Sequence, residues 1–435
     1  MKVKFLTLGC KVNQYESEAM LEALEREGFT PAGENEPAGV LIVNSCTVTA
    51  QSDQKARQAL RRLKRQNPEA VTVLTGCWPQ AFPQEAEKLM EADIILGNSK
   101  RGELGSRIRE YLAEKRRIVD VAPHQKDEPF EPMSVKGLSG HTRAFLKIED
   151  GCERYCAYCI IPYARGRVRS KPLSDLRDEV EGLARRGYKE VVLTGINLPA
   201  YGQDLGLTLC DAVEAACSVE GIRRVRLGSL EPERLTPEVI ARMRAQSKLC
   251  PQFHLSLQSG CDGTLRRMHR HYTSAEYMRI VEDLRAAFPN CAITTDVMVG
   301  FPGETGEEFA ESLDFCQRVG FAKVHVFAYS RRPGTVAAKA PDQVTNAVKE
   351  QRSKALSAAM EESRLGFLRS QVGRRELVLI EREVGPGIWE GLTANYTPVR
   401  VESSRELAGE ILPVRITGAG DGYCAGEVID MPGDK

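Results

Sequence analysis

No apolar run in this chain approaches the roughly 20 residues that a membrane-spanning helix needs, although 42% of its residues are hydrophobic. The amino terminus, Met1-Lys2-Val3-Lys4-Phe5-Leu6, enters a strand-like pattern at once and carries no signal-peptide core. Net charge is missing too: 60 Lys and Arg are matched by 60 Asp and Glu. A global field that would gather a polyanion is therefore excluded, and an anionic partner has to be met by local basic patches. Cysteine, by contrast, is plentiful. Thirteen of them, an odd count with no secretory signal, read as reduced or metal-bound thiols of a cytoplasmic protein rather than a disulfide framework. A chain of 435 residues is expected to form two or three domains.

The stretch that organises the chain is Gly151-Cys152-Glu153-Arg154-Tyr155-Cys156-Ala157-Tyr158-Cys159, which follows the apolar run Phe145-Leu146-Lys147-Ile148. Three thiolates in a CxxxCxxC pattern on one short loop can hold three irons of a [4Fe–4S] cube and leave the fourth iron open. A structural zinc site wants four ligands. Histidine is scarce, and the nearest, His141 and His254, lie outside the loop.

Residues 1–121 alternate strand patterns at 3–8, 40–43, 71–74 and 94–96 with helix patterns at 17–27, 50–66, 83–91 and 103–115. This alternation predicts an amino-terminal doubly wound parallel α/β domain. Cys10, Cys46 and Cys77 each come directly after one of its first three strands. The carboxyl ends of parallel strands share one edge, where such sheets bind ligands. The three thiols are therefore expected to converge as a second cluster site; burial as three core cysteines is the alternative that spacing leaves open.

Residues 122–140, rich in Pro and Gly, read as a linker, with Phe130 and Met133 as docking residues. From 141 to 370 a strand-then-helix unit recurs, with strands expected at 145–148, 190–194, 223–227, 253–257, 293–299 and 323–328. Helix-start signals stand at Thr273 with Glu276, at Thr305 with Glu308 and at Thr236-Pro237. Six units predict a partial (β/α)6 barrel with its chemistry at the carboxyl ends of the strands. Residues 371–435 alternate short strand patterns with Gly-rich turns and predict a small all-β, OB-like barrel. Cys210, Cys217, Cys250, Cys261, Cys291, Cys316 and Cys424 show no ligand spacing and are expected in the core.

The CxxxCxxC loop with an aromatic before its last cysteine resembles the signature of the radical S-adenosylmethionine (SAM) superfamily. The longer string FLKIEDGCERYCAYCIIPYARGRVR, with the amino-terminal LGCKVNQYESE, resembles the methylthiotransferases, and among them the bacterial enzymes of tRNA N6-threonylcarbamoyladenosine. The resemblance spans essentially the whole chain. It implies two [4Fe–4S] clusters, one at Cys152, Cys156 and Cys159 that binds SAM and an auxiliary one at Cys10, Cys46 and Cys77. It implies methylthio transfer to C2 of the modified adenosine beside the anticodon, with SAM as methyl donor and as source of the 5′-deoxyadenosyl radical. Tyr158, Gly195, Asn197, Glu231, Gln258 and Asp296 are the implied SAM contacts, and the carboxy-terminal barrel is the implied RNA-binding TRAM domain. That last module is acidic, with 7 Lys plus Arg against 11 Asp plus Glu in residues 371–435.

Basic stretches elsewhere are the better RNA candidates: Arg62 and Arg65 on the second helix, and Arg165, Arg167 and Arg169 after the cluster loop. Implied partners are a tRNA anticodon stem-loop, a reductant such as flavodoxin or ferredoxin, and a sulfur donor, with no membrane. Two alternatives keep the chemistry and change the substrate, to N6-isopentenyladenosine in tRNA or to a ribosomal-protein aspartate. A third, an iron–sulfur RNA-binding protein without turnover, conflicts with the ligand count, since electron-transfer clusters take four protein ligands.

Overall fold

Lys2–Thr7 (β1), Thr30–Pro31 (β2), Val40–Ser45 (β3), Val71–Gly76 (β4), Ile94–Leu96 (β5) and Ile118–Asp120 (β6) pair in an all-parallel sheet of order β2-β1-β3-β4-β5-β6. This is seen in a computed structural model, which describes residues 1–33, 35–137 and 140–430. β3 and β4 are buried throughout, as Val/Leu/Ile-rich strands covered on both faces require. Lys11–Arg26 (α1) begins directly after Cys10, earlier than the polar residues there predict. Asn13 and Glu16, ahead of the helix expected at 17–27, are both buried because α1 lies between two domains. Ala50–Gln66 (α2) starts at Thr49, whose hydroxyl accepts from the Ser52 amide, and Cys77–Ala81 (α3) follows β4.

Arg143–Lys147 (β7) leads into a small antiparallel pair, Glu149–Asp150 (β8) with Arg169–Ser170 (β9). Glu190–Thr194 (β10) and Arg224–Leu227 (β11) complete a parallel sheet β11-β10-β7. Ser229–Leu230 (β12), Gln252–Leu255 (β13), Ala292–Val299 (β14) and Lys323–Ala328 (β15) form a second one, β12-β13-β14-β15. β11 and β12 are one strand position interrupted at Gly228, so the seven segments fill the six positions of an open (β/α)6 barrel whose edges are β7 and β15. The helices Ser274–Ala287 and Gly306–Val319 open with reciprocal capping boxes at Thr273/Glu276 and Thr305/Glu308. Tyr15 and Ala19 of α1 belong to the barrel's hydrophobic core, so the amino-terminal domain is docked by apolar burial.

The long helix Asn346–Ser370 leads to Arg375–Gly385 (β16), Ile388–Thr393 (β17), Pro398–Glu402 (β18), Ile411–Gly420 (β19) and Tyr423–Val428 (β20), a closed barrel of order β16-β17-β18-β20-β19. It caps the amino-terminal ends of the larger barrel's strands. Arg224 donates to the Leu392 carbonyl at 3.0 Å and Arg226 to that of Ala394 at 2.9 Å, while the Tyr396 ring lies 4.7 Å from the Arg226 guanidinium. Residues 431–435 of the expected domain, and 138–139 of the expected linker, lie outside the described residues.

The segment expected to be a linker is a strap pinned to both domains. The Met133 carbonyl accepts from the Tyr15 hydroxyl at 2.7 Å, Glu131 pairs with Arg101 at 2.9 Å, and Phe130 lies under Lys147 and Lys171. Among the described residues no helix is long and apolar enough to cross a membrane.

Candidate active site

Cys46 and Cys77 are the residues immediately after β3 and β4, and Cys10 follows β1 by a tight turn at Gly9. Gly9 has φ +113°, and a Cβ there would collide with Cys46, 3.2 Å from its Sγ. Only glycine lets the two cysteine-bearing loops approach this closely. Cys10 Sγ faces Asn13 Oδ1 at 3.7 Å, and Arg165 bridges that same oxygen, at 2.9 Å, to Cys77 Sγ, at 3.1 Å. The three thiols, far apart in sequence, thus share one locus. Burial pushes the Cys46 thiol up to about 12, with Cys77 and Cys10 adding to the rise.

The other trio lies on the loop after β7 and β8, at the carboxyl end of the barrel. Gly151, at φ +94°, starts it; any side chain there would overlap the Arg167 carbonyl. Tyr155 also takes a left-handed φ of +50°, which turns the loop between its first two cysteines. Burial raises the Cys152 and Cys159 thiols to about 12. Cluster loading at such thiols displaces protons. Arg270 donates to Cys156 Sγ at 3.3 Å while it is held by Glu231, the Tyr272 hydroxyl and the Ser256 carbonyl.

Both places suit an iron–sulfur cube by donor chemistry. Each offers three soft thiols, and each has one buried arginine aimed at a cysteine sulfur. Three protein thiols with no fourth ligand in the loop match an open-cornered cube better than a structural zinc site, which takes four ligands. The charge around Cys77 is also right for an anionic cluster. Arg101, Lys147, Arg165 and Arg169 are four buried cations against three carboxylates, Glu16, Asp150 and Glu131. Burial pushes the Glu16 carboxyl up, but Arg101, Arg165 and Lys147 outweigh it and hold Glu16 at about 2.

The residues implied for SAM gather at the strand ends beside the second trio. Gly195 admits no side chain, because Glu149 occupies its Cβ position, and the Asn197 amide donates to Glu149 Oε2 at 2.7 Å. Burial raises the Glu149 carboxyl to about 8. Glu149 Oε1 and Asn197 Oδ1 are buried without a partner among the described residues, which leaves two polar atoms for a small polar ligand. Gln258, at φ +67°, donates its backbone amide to the Asp296 carbonyl at 2.9 Å. Asp296 itself faces His254 at 3.5 Å on the lumen wall, and Glu231 is engaged by Arg270 and Arg154. The Tyr158 ring packs edge-on against Phe301 at 6.5 Å.

The RNA candidates separate sharply. Arg165 and Arg169 are buried, and their guanidinium groups are committed to Glu16 and Asp150, so neither is open to a phosphate. The run that reads as a basic patch is half interior, because the helix Ile161–Arg165 docks onto α1 and α3. Arg167 does remain 53% exposed, beside Glu153 at 3.6 Å. Arg62 and Arg65 are exposed on α2 but lie about 18 and about 22 Å along the helix from its start. In the small barrel, Arg400 and Arg405 are paired with Glu390 and Glu410. Local sequence could not reveal Asn13 and Glu16 as site residues, nor that Arg165 and Arg270 turn inward onto cysteine sulfurs. It also passed over Tyr155 and Tyr163, 51% and 53% exposed and in edge-to-face contact at 5.9 Å. With Arg167, Lys126 and His124 these tyrosines line a cleft of about 480 Å³.

Residues 2–97 match the family described as "Uncharacterized protein family UPF0004", and residues 146–316 match the radical SAM superfamily. The chain is 37% identical, over 100% of its length and 97% of the relative's, to "Threonylcarbamoyladenosine tRNA methylthiotransferase MtaB" of Bacillus subtilis. It is 34% identical, over 96% of its length and 95% of the relative's, to the "tRNA-2-methylthio-N(6)-dimethylallyladenosine synthase" of Pelotomaculum thermopropionicum. In fold it is similar to a radical SAM methyltransferase, TsrM, of Kitasatospora setae, with a TM-score of 0.57 over 78% of this chain and 77% of that one at 16% identity. Two domain matches and full-length relatives above 30% identity lead to one statement: the chain belongs to the radical SAM methylthiotransferases.

Proposed function

We propose that this enzyme transfers a methylthio group to C2 of N6-threonylcarbamoyladenosine in tRNA. The observation that supports it is the pair of thiol trios at the carboxyl ends of two parallel sheets, linked by Arg165, which follows the barrel trio in sequence and donates to Cys77. Cys152, Cys156 and Cys159 hold the SAM-binding [4Fe–4S] cluster, and Cys10, Cys46 and Cys77 the auxiliary one. When bound, the clusters and SAM supply one-electron cleavage of a sulfur–carbon bond, a methyl group and a site for the sulfur to be transferred. The chain's own groups orient and shield. Tyr158, Gly195, Asn197 and Gln258 surround SAM, with Glu231 holding Arg270 against Cys156 and Asp296 at the edge of the lumen. Arg165 sets the charge beside Cys77. Apolar docking of α1 on the barrel keeps water from the space between the trios.

The reductant, such as flavodoxin or ferredoxin, and the sulfur donor belong to the same proposal, as does a cytoplasmic site of action, where tRNA is met. The relatives named for dimethylallyladenosine support a second reading in which the N6 group differs. Nucleoside mass spectrometry of tRNA from a deletion strain separates them. Loss of 2-methylthio-N6-threonylcarbamoyladenosine with accumulation of its unthiolated parent is the expected result. Loss of the dimethylallyl product instead, or of β-methylthio-aspartate in ribosomal protein, would replace the substrate assignment.

Tyr155, Tyr163 and Arg167 form the tRNA contact nearest the cluster loop in this proposal. Exposed tyrosines suit stacking on unpaired bases of an anticodon loop. Tyr163→Ala is expected to weaken stem-loop binding by about 1–3 kcal/mol, and Arg167→Ala to lower the salt slope of binding by about 1. Filter binding across a salt series checks both, and unchanged affinity in both variants would remove this surface from the RNA interface.

A further inference from the structure

Lys11 opens α1 directly after Cys10, and its ammonium lies 5.6 Å from the centre of the Phe145 ring on β7. It is within electrostatic reach of His325 on β15, and of Tyr396, Arg143, Arg226 and Glu190 at the lumen floor. β7 and β15 are the two edges of the open barrel. Lys11 therefore stands at the lateral opening, between the two edge strands.

The wall opposite is formed by residues in register on β14 and β15, Asp296 with His325 and Met298 with Phe327. Phe327 is 47% exposed, so an apolar face is open toward a base. The other strong cations at the floor are neutralised: Arg226 pairs with Glu190 at 2.8 Å, and Arg143 with Glu381 at 2.6 Å. Asp296 faces His254. Among the described residues no carboxylate lies within ion-pairing distance of Lys11. A half-buried ammonium without a counter-ion is costly, and a ligand carboxylate is the group that would offset it.

The candidate substrates differ in that one respect. The threonylcarbamoyl chain ends in a carboxylate; the isopentenyl chain is a hydrocarbon. C2 and N6 flank N1 of the same ring, so a base with C2 toward the thiol trios carries its N6 chain along the barrel opening, toward the Lys11 ammonium at the Phe145 ring. We infer that Lys11 pairs with the carboxylate of the N6-threonylcarbamoyl chain and thereby selects a carboxylate-bearing adenosine over one with an apolar or neutral N6 group. This rests on the function proposed above.

The test uses the reconstituted full-length enzyme with both clusters, SAM and two anticodon stem-loops, one with threonylcarbamoyladenosine and one with its carboxamide analogue. Each protein's own ratio of kcat/KM on the two RNAs is read, which cancels differences in cluster content, and the ratio of Kd is read alongside. The wild type is expected to favour the carboxylate by about 10- to 100-fold in both ratios. Lys11→Gln should bring both ratios to about one, and Lys11→Arg should keep most of the preference. A Lys11→Gln protein that retains the wild-type ratio, or a wild type indifferent to the carboxylate, overturns the role of Lys11. A wild type that thiolates neither RNA but thiolates an isopentenyladenosine stem-loop overturns the substrate assignment instead, so the two failures are distinct.

Discussion

Cys46→Ala protein, reconstituted anaerobically with iron and sulfide, is expected to keep cleaving SAM while forming no methylthiolated nucleoside. Cys46 follows β3 in the amino-terminal domain, whereas the trio on the barrel loop is supported by β7, β8 and Arg270. Removing one thiol from the first set leaves the second intact. Iron should fall from about eight to about four atoms per chain, since each cube holds four. Cys156→Ala should lose both SAM cleavage and product, because the barrel trio then has two thiols left. Iron counting, 5′-deoxyadenosine analysis and nucleoside mass spectrometry read the three quantities on the same sample. Methylthiolated RNA from the Cys46→Ala protein would exclude the trio at Cys10, Cys46 and Cys77 from sulfur transfer.

The second large effect is expected at Arg165. Its guanidinium is fully buried, forks onto Glu16, and reaches Asn13 and Cys77 across the domain boundary. Arg165→Ala leaves Glu16 and Asp150 with one cation fewer, and breaking a buried pair in this way costs about 3–5 kcal/mol. Urea unfolding of the cluster-free protein should show that loss. Arg165→Lys keeps the charge but not the fork, and it should recover only part of the loss. Wild-type stability in the Ala variant would mean that solvent relaxes into the network.

The same cluster of charges fixes an acid limit. Burial raises the Asp150 carboxyl, but Lys147, Arg165, Arg169 and Arg101 overcome this and hold it well below the usual range, while Glu16 sits at about 2. Both folded values lie below the unfolded ones, so the native state binds fewer protons than the unfolded chain at low pH. Their stabilisation is complete above about pH 4.5 and is lost as pH falls toward 2. In Arg165→Ala that acid-dependent part should shrink, because the carboxylates are held less far down.

Much of this was legible in the residues themselves. The period-2 and period-3.6 patterns gave the alternation of strand and helix, and the threonine–glutamate pairs marked two helix starts that carry reciprocal capping boxes. The basic run Tyr163-Ala164-Arg165-Gly166-Arg167-Val168-Arg169 misled for a physical reason. Charge is visible locally, but exposure is not. Arg167 is open while Arg165 and Arg169 are interior, because Glu16, 149 residues away from Arg165, arrives on a helix from another domain.

Sequence alone determined the two sets of three cysteines, the addresses of the thiols at strand ends, and the order α/β domain, open barrel, small closed barrel, since each depends on spacing along the chain. Only the tertiary structure decided which cations are spent on buried carboxylates and which face a ligand. It turned Arg165 inward to Cys77, aimed Arg270 at Cys156 and left Lys11 at the barrel opening with no carboxylate partner among the described residues. Those outcomes follow from how separate elements dock, and desolvation at a docked interface makes partners of residues that no local pattern connects.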